Sequence, residues 1–485
     1  MGGLPRPGRL RGVQPADDAD RRRGRPARAD PPRGRGLPVP GRCVVTGQLD
    51  PVTAEYNRRC AAGDRALAES MSRARLPPAL VASMRDRFLP RPFFIPRPEI
   101  LGLADRVVAL LDLLLSVPDR FFGGDRERYA RAVGMDPRRA GYLAPFTGRP
   151  ELYGRADLYH DGESLRLLEL NVGSALGGLD RAQISAALLE VPAFHAFAAE
   201  HGLGFVDTGV RVDRALRAAA APLCGGRSPL VAFVDGNGAM APYLHLATSF
   251  QEMLAGFGVE VLLAELGDVG FAGGRATVHG RPVDVVLRYF GVGDVLDDPA
   301  GLRVVDSLVR ADAEGAVVLF SSLAGELYNN KRSLALLAEL RGELTEDEVA
   351  LADELLPWTR TMTPDLLEHC LAHGAELILK PGADFGGQGI VAGWQTDELD
   401  WKRALTAAVD QGAIVQRRVV PRAEPVLDPA TGRSRDWHAV WDCFLTPEGY
   451  AGSHIRALPA GADAVIGMGV TEAARTTGIF YYDGV

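Results

Sequence analysis

From residue 229 to residue 455 the chain alternates short apolar runs with stretches of helical periodicity, and this alternation narrows the fold more than any other feature. Residues 229–235 (Pro-Leu-Val-Ala-Phe-Val-Asp) read as a buried strand, 242–256 as a helix and 260–264 as a strand. Together they make a βαβ unit of the open α/β type. A strand over 283–290 follows, then a strand at 317–320, helices at 331–340 and 347–356, and a strand at 376–380 with a hairpin partner at 389–393. Residues 413–418, 438–445 and 450–455 give the later strands. The Gly236-Asn237-Gly238 turn lacks the GxGxxG spacing of a dinucleotide-binding loop, which sets that class aside.

The preceding sequence has a different character. Residues 98–116 and 125–133 carry apolar side chains at three-to-four spacing, so 50–135 is expected to be helical. Residues 1–42 are rich in Arg, Pro, Gly and Asp and lack apolar periodicity, which predicts a disordered tail. The net charge of −8 argues against nucleic acid as a partner. Five cysteines (Cys43, Cys60, Cys224, Cys370, Cys443) stand far apart with no CxxC or zinc spacing, as expected for reduced thiols in a cytoplasmic protein. No run of about 18 uncharged apolar residues is present, and the N-terminal arginines have no apolar stretch behind them. Neither a membrane span nor a secretory signal is therefore expected.

Four segments carry chemistry. Residues 153–160 and 165–171 read as two strands joined by Asp161-Gly162-Glu163, a hairpin turn. Side chains alternate along a strand, so Glu169 shares a face with Asn171, and Arg155 with Asp157. Such hard oxygen donors suit magnesium, although a solvated face with an Arg–carboxylate pair gives the same pattern. At Lys380-Pro-Gly-Ala-Asp384-Phe-Gly386-Gly387-Gln388-Gly389 a strand ends in a lysine and a glycine-rich loop follows. Glycines let backbone N–H groups converge on an anion such as a phosphate. An ordinary glycine-rich hairpin is the alternative, and the loop is not a Walker A sequence. Lys331, after Asn329-Asn330, opens a predicted helix whose N-terminus favours anions. Finally, a strand running through Gln416, Arg417 and Val419 into an extended segment offers backbone groups to an adenine edge.

In this order the segments resemble the glutathionylspermidine synthases and, more distantly, the eukaryotic-type glutathione synthetases. Both are ATP-grasp ligases of permuted order, in which the Glu-x-Asn strand precedes the two lysines. Arg155-x-Asp157 followed by Glu169-x-Asn171 looks like the metal site, and 169–178 looks like the glutathione synthetase stretch E-I-N-T-I-S-A-S-F-G-G. Gly452-Ser-His-Ile-Arg456 with 467–470 resembles the substrate-arginine and glycine segments. Two departures stand out. Asp384 replaces the usual glutamate, which shortens its reach, and Leu176 replaces a polar residue.

The resemblance implies an α/β fold with α+β lobes: a permuted ATP-grasp core, an inserted βαβ substrate-type domain and an N-terminal helical segment. The expected divisions are a tail (1–42), a helical region (43–150), a metal-binding part (151–205), the βαβ domain (206–312) and an ATP-binding part with a glycine-rich lid (313–485). It implies ATP and two magnesium ions, the ions held by Asp157, Glu169, Asn171 and Asp384. ATP would be bound by Lys331, Lys380, Gly386, Gly387, Gln388, Gly389, Gln416, Arg417 and Val419. Arg155 would stabilise the transferring phosphoryl group, and Ser174 and Arg456 would contact substrate. The reaction implied joins a small-molecule or peptide carboxylate to an amine through an acyl phosphate, without an amidase activity, and is compatible with a homodimer. A phosphotransferase, or a nucleotide- or peptide-binding module without turnover, would share the same sequence features.

Overall fold

The structure, a computed structural model, describes residues 49–382, 389–462, 465–469 and 471–484. The expected tail over 1–42 lies outside the described residues. The fold is mixed α/β, as the sequence pattern predicts.

Its centre is a six-stranded antiparallel sheet. Arg475–Thr477, Gly449–Pro459, Ser434–Thr446, Gly154–His160 and Leu165–Val172 follow one another across it, and Glu424–Leu427 pairs with the outer end of Ser434–Thr446. The alternation along these strands divides their side chains strictly. Ala156, Leu158, Leu170, Val172, Trp441, Cys443, Ile455 and Ala457 all enter the largest hydrophobic core. The helix Arg97–Phe122 covers that face, with Leu103, Val107, Leu110, Leu114 and Val117 forming its buried stripe. It ends at Gly123, whose φ of 64° supplies the left-handed cap. The opposite sheet face carries Arg155, Asp157, Glu169, Asn171, Asp442, His454 and Arg456, which line a cavity or lie just beneath its wall.

The βαβ segment forms a four-stranded parallel sheet in the order Val318–Phe320, Val285–Arg288, Leu230–Asp235, Glu260–Glu265. A second antiparallel sheet is ordered Thr359–Thr361, Ile414–Arg417, Leu377–Lys380, Val391–Ala392. It has its own small core of Leu377, Leu379, Trp401, Leu405 and Val415. The expected hairpin partner of the lysine strand is thus present but short.

Several short strands escape the sequence pattern. Thr359–Thr361 is three residues long, and Glu424–Leu427 contains Pro425, which a strand tolerates only at an edge. Phe93–Pro96 pairs in parallel with Ile479–Tyr482, joining the helical region to the C-terminal end of the described chain. Among the described residues no single helix is long and apolar enough to cross a bilayer.

A buried ion pair also fastens the helical region to the sheet. Arg91 Nη2 donates to Glu424 Oε2 at 2.8 Å, with both side chains 2% exposed, and its guanidinium lies 4.7 Å from the Phe93 ring centroid. Arg422 Nε also donates to Glu424, at 2.8 Å. Removing one partner of a buried pair costs about 3–5 kcal/mol, because the other charge is left in low dielectric. Arg91→Ala is therefore expected to lower the urea midpoint by an amount corresponding to that loss, whereas a change within ±0.5 kcal/mol would show that Arg422 alone satisfies Glu424.

Candidate active site

The register of the six-stranded sheet places His454, Asp442, Asp157 and Glu169 side by side across four strands. In the neighbouring row Arg155 lies opposite Asn171. The predicted hairpin therefore forms, and it brings the carboxylates, the amide and the guanidinium to one surface.

Asp442 is fully buried at the centre of this row. It accepts from Arg456 Nε at 2.8 Å, Arg456 Nη2 at 2.7 Å and His454 Nε2 at 3.0 Å. Burial alone would raise its carboxyl, but Arg456, then His454 and Arg155, hold it well below the usual carboxylate range. Arg155 grips Asp157 in a fork at 2.6 and 2.9 Å and donates its Nη1 to the Gly177 carbonyl at 2.9 Å. Arg456 Nη2 reaches Asp157 too, at 2.8 Å, and its Nη1 donates to the Ile466 carbonyl at 3.2 Å.

Two lysines approach from other elements. Between Asp157 and Leu158 the hairpin register shifts, so that Leu168 is the extra residue of a β-bulge. The bulge re-aims the Leu168 carbonyl, which accepts from Lys380 Nζ at 3.3 Å. Lys380 Nζ also donates to Gln416 Oε1 at 2.7 Å. Burial pushes its ammonium down to about 8, Lys331 adding to the effect and Glu169 opposing it.

Lys331 occupies the first position of the helix Lys331–Glu339, where a cation opposes the helix dipole. Its Nζ stands 3.4 Å from Glu169 Oε1. The two preceding asparagines hold it there. The Asn329 side chain accepts from the Val172 N–H and donates to the Val172 carbonyl at 2.6 Å, which fastens the turn to the end of the Glu169 strand. Asn330 Oδ1 caps the helix through the Arg332 N–H at 2.9 Å, and its Nδ2 donates to the Val133 carbonyl at 2.8 Å.

Arg155, Asp157, Glu169, Asn171, Lys380, His454 and Arg456 line a cavity of about 930 Å³. Its walls also include the Leu176–Gly178 backbone, Ile378, Ala392, Trp394 and residues 416–419. Trp394 carries the Arg418 guanidinium 4.1 Å from its ring centroid. Among the described residues no three His, Cys, Asp or Glu side chains gather into a metal cage.

Among solved structures the chain is similar to a glutathione synthetase-like effector from Globodera pallida. The identity is 13%, the match covers 91% of this chain and 100% of that one, and the TM-score is 0.50. Weaker likenesses are to a putative γ-glutamylcysteine synthetase from Methylobacillus flagellatus (14% identity, 68% and 81% of the chains, TM-score 0.37) and to D-alanyl-alanine synthetase A from Vibrio cholerae (12%, 46% and 87%, TM-score 0.27). No family model and no curated protein matches the sequence. The fold is of the ATP-grasp type.

On this ATP-grasp frame the structure brings Arg155, Asp157, Glu169, Asn171, Lys331, Lys380 and Arg456 together. Gly389 sits in a turn with φ 68°, while Asp384, Gly386, Gly387 and Gln388 lie outside the described residues. Ser174, Gln416 and Arg417 also carry partners that the sequence does not show. Ser174 does not reach the cavity: its hydroxyl is 2% exposed, donates to the Arg288 carbonyl at 2.7 Å and accepts from the Ser321 N–H at 3.0 Å. It fastens the 169–178 turn to the ends of two parallel strands. The Gln416 amide is likewise spent, on Lys380 and on Thr359 Oγ1 at 2.9 Å. The Arg417 and Arg418 N–H groups go to the carbonyls of Trp358 and Glu376. Residues 416–419 nonetheless line the cavity.

Sequence reasoning missed Asp442 and His454. Asp442 had a signal, since an aspartate inside an otherwise apolar strand goes against strand preference. Asn330→Ala is expected to cost about 1–3 kcal/mol by removing the helix cap and leaving the Val133 carbonyl without its donor, read as a shift in the urea midpoint. An unchanged midpoint would refute the positioning role given to Asn330.

Proposed function

We propose that the chain is an ATP- and magnesium-dependent ligase that joins a carboxylic acid to an amine through an acyl phosphate. The observation that carries this reading is the meeting of Lys380 with Glu169 and Asn171 on the wall of a cavity of ligand-binding size, with Lys331 3.4 Å from Glu169. The glutathione synthetase-like frame supports it, since the Globodera pallida protein bears that name.

Glu169 and Asn171 offer oxygens on one sheet face beside the cavity, a donor set that fits magnesium with phosphate oxygens and water completing the shell. When bound, the metal supplies charge neutralisation at the β- and γ-phosphates. Asp157 accepts three guanidinium N–H bonds, one on Oδ1 and two on Oδ2, and so keeps a lone pair on Oδ1 with which to join that set. Among the described residues Lys380 commits two of its three protons, which leaves one for a phosphate oxygen.

The substrate carboxylate attacks the γ-phosphoryl in line, and ADP leaves with the bonding pair. Arg155 lines the cavity and, once released from Asp157, presents the fork that suits two phosphoryl oxygens. The amine then displaces phosphate from the acyl carbon. Among the described residues Arg456 leaves a single N–H uncommitted, on Nη1, so it orients a substrate carboxylate with that donor and otherwise serves the buried network.

The direct test is ADP release from ATP and magnesium with pooled amino acids, dicarboxylic acids, short peptides and polyamines, followed by mass spectrometry. Release that requires both an acid and an amine, with a product lighter than their sum by one water, is the expected result. Release with a phosphorylated product, or none at all, would overturn the reading. Glu169→Gln is expected to lower magnesium-dependent ADP release by about 10²–10³-fold with an unchanged urea midpoint. Near-normal release in that variant would move the metal away from this strand.

A further inference from the structure

The geometry points to His454 as the base that takes the proton from the attacking amine, with Asp442 fixing its tautomer. This inference rests on the ligase reading and names a residue for its second half-reaction.

His454 forms part of the cavity wall yet is 3% exposed. Its ring is held on both sides. The Phe444 ring stacks on it, with centroids 5.6 Å apart and planes 19° from parallel. On the other side Gly178 packs so closely that a Cβ there would stand 2.5 Å from the ring's Cε1. That glycine also has a φ of 93°, in the region that other residues rarely adopt. The 169–178 turn therefore closes onto the ring through a residue that had to lack a side chain.

The two ring nitrogens have different fates. Nε2 stands 3.0 Å from Asp442 Oδ2, and an ionised carboxylate only accepts, so the proton sits on Nε2. Nδ1 is then left as a lone pair, and it is buried with no hydrogen-bond partner among the described residues. A buried polar atom without a partner costs free energy, and a lone pair in the wall of a ligand cavity is satisfied by a donor that arrives with the ligand. The charged groups that face the ring are Asp442, Arg456 and Arg155; burial keeps the imidazole below its ordinary range despite Asp442. The ring is thus neutral at pH 7 and able to accept a proton.

Its position suits the second step. Three interstrand spacings, about 14 Å between Cα atoms, separate His454 from Glu169 across the sheet. Arg155 and Arg456 lie between them and frame the acyl group. As the amine nitrogen bonds to the acyl carbon, the C–O bond to phosphate breaks and phosphate leaves with the electron pair. The amine's proton passes to Nδ1.

Two experiments on the full chain decide the matter. The first is nitrogen NMR of the ¹⁵N-histidine-labelled protein, with His454 assigned by the signal lost in His454→Asn. At pH 7 a neutral ring protonated on Nε2 is expected. An imidazolium, or a proton on Nδ1, would overturn the assignment. The second compares nucleophiles in the pooled ADP-release screen, with and without hydroxylamine, which is unprotonated at pH 7.5 and needs little help from a base. In His454→Asn the ratio of amide to hydroxamate is expected to fall by about 10²-fold or more. The wild-type amide rate should decline only below the ordinary histidine value of about 6.5. An unchanged ratio, or an equal loss of both products, would make His454 structural. If the wild type forms neither product, the ligase reading itself fails and takes this role with it.

Discussion

A buried carboxylate, Asp442, holds together the face of the sheet on which the site is built. It lies at 0% exposure with two guanidinium groups and an imidazole around it. Placing a charge there is tolerable only because the cluster balances: Arg155 and Arg456 offset Asp157 and Asp442, and the imidazole is neutral. Each arginine bridges between strands, so the network also fixes the register of three strands beyond what the backbone ladder specifies. A slip of one residue would turn Asp157 and Asp442 into the apolar core and bring Ala156 and Cys443 to the cavity.

The same logic explains how distant segments of chain arrive at one point. Lys331 stands 162 residues after Glu169, yet the Asn329 amide pairs with the Val172 backbone almost as an added strand residue would. Lys380 comes from a different sheet and is aimed by the one irregularity in the hairpin, the bulge at Leu168. A regular hairpin would have turned that carbonyl into the ladder. The site therefore depends on a defect in the sheet as much as on its regularity.

Long, strongly alternating segments were legible in the sequence. The hairpin, the parallel βαβ strands and the lysine strand all stand where their patterns put them, because in each the apolar period and the burial agree. What escaped was set by tertiary partners. Ser174 reads as a substrate contact in its glycine-rich turn, and only the neighbouring strand ends, with the Arg288 carbonyl and the Ser321 N–H, reveal a structural bond. The committed state of Gln416 follows from Lys380 and Thr359, neither of which is near it in sequence. His454 lay inside the segment read for Arg456 without being singled out, since its meaning comes from Asp442 across the strand and Gly178 above the ring.

The net charge of −8 describes the surface as a whole and misleads about the cavity. Among the described residues eight lysines and arginines line it against two carboxylates, Asp157 and Glu169. Both of those are already within reach of a cation, Asp157 of two arginines and Glu169 of Lys331. Low-dielectric walls concentrate such a field, and the cavity attracts anions that the outer surface repels. The overall charge argues against a polyanion spread across the surface, but not against a nucleotide or a small carboxylate able to enter the cleft. For such a ligand the acidic exterior and the basic interior act together: the exterior disfavours nucleic acid, and the interior favours small anions.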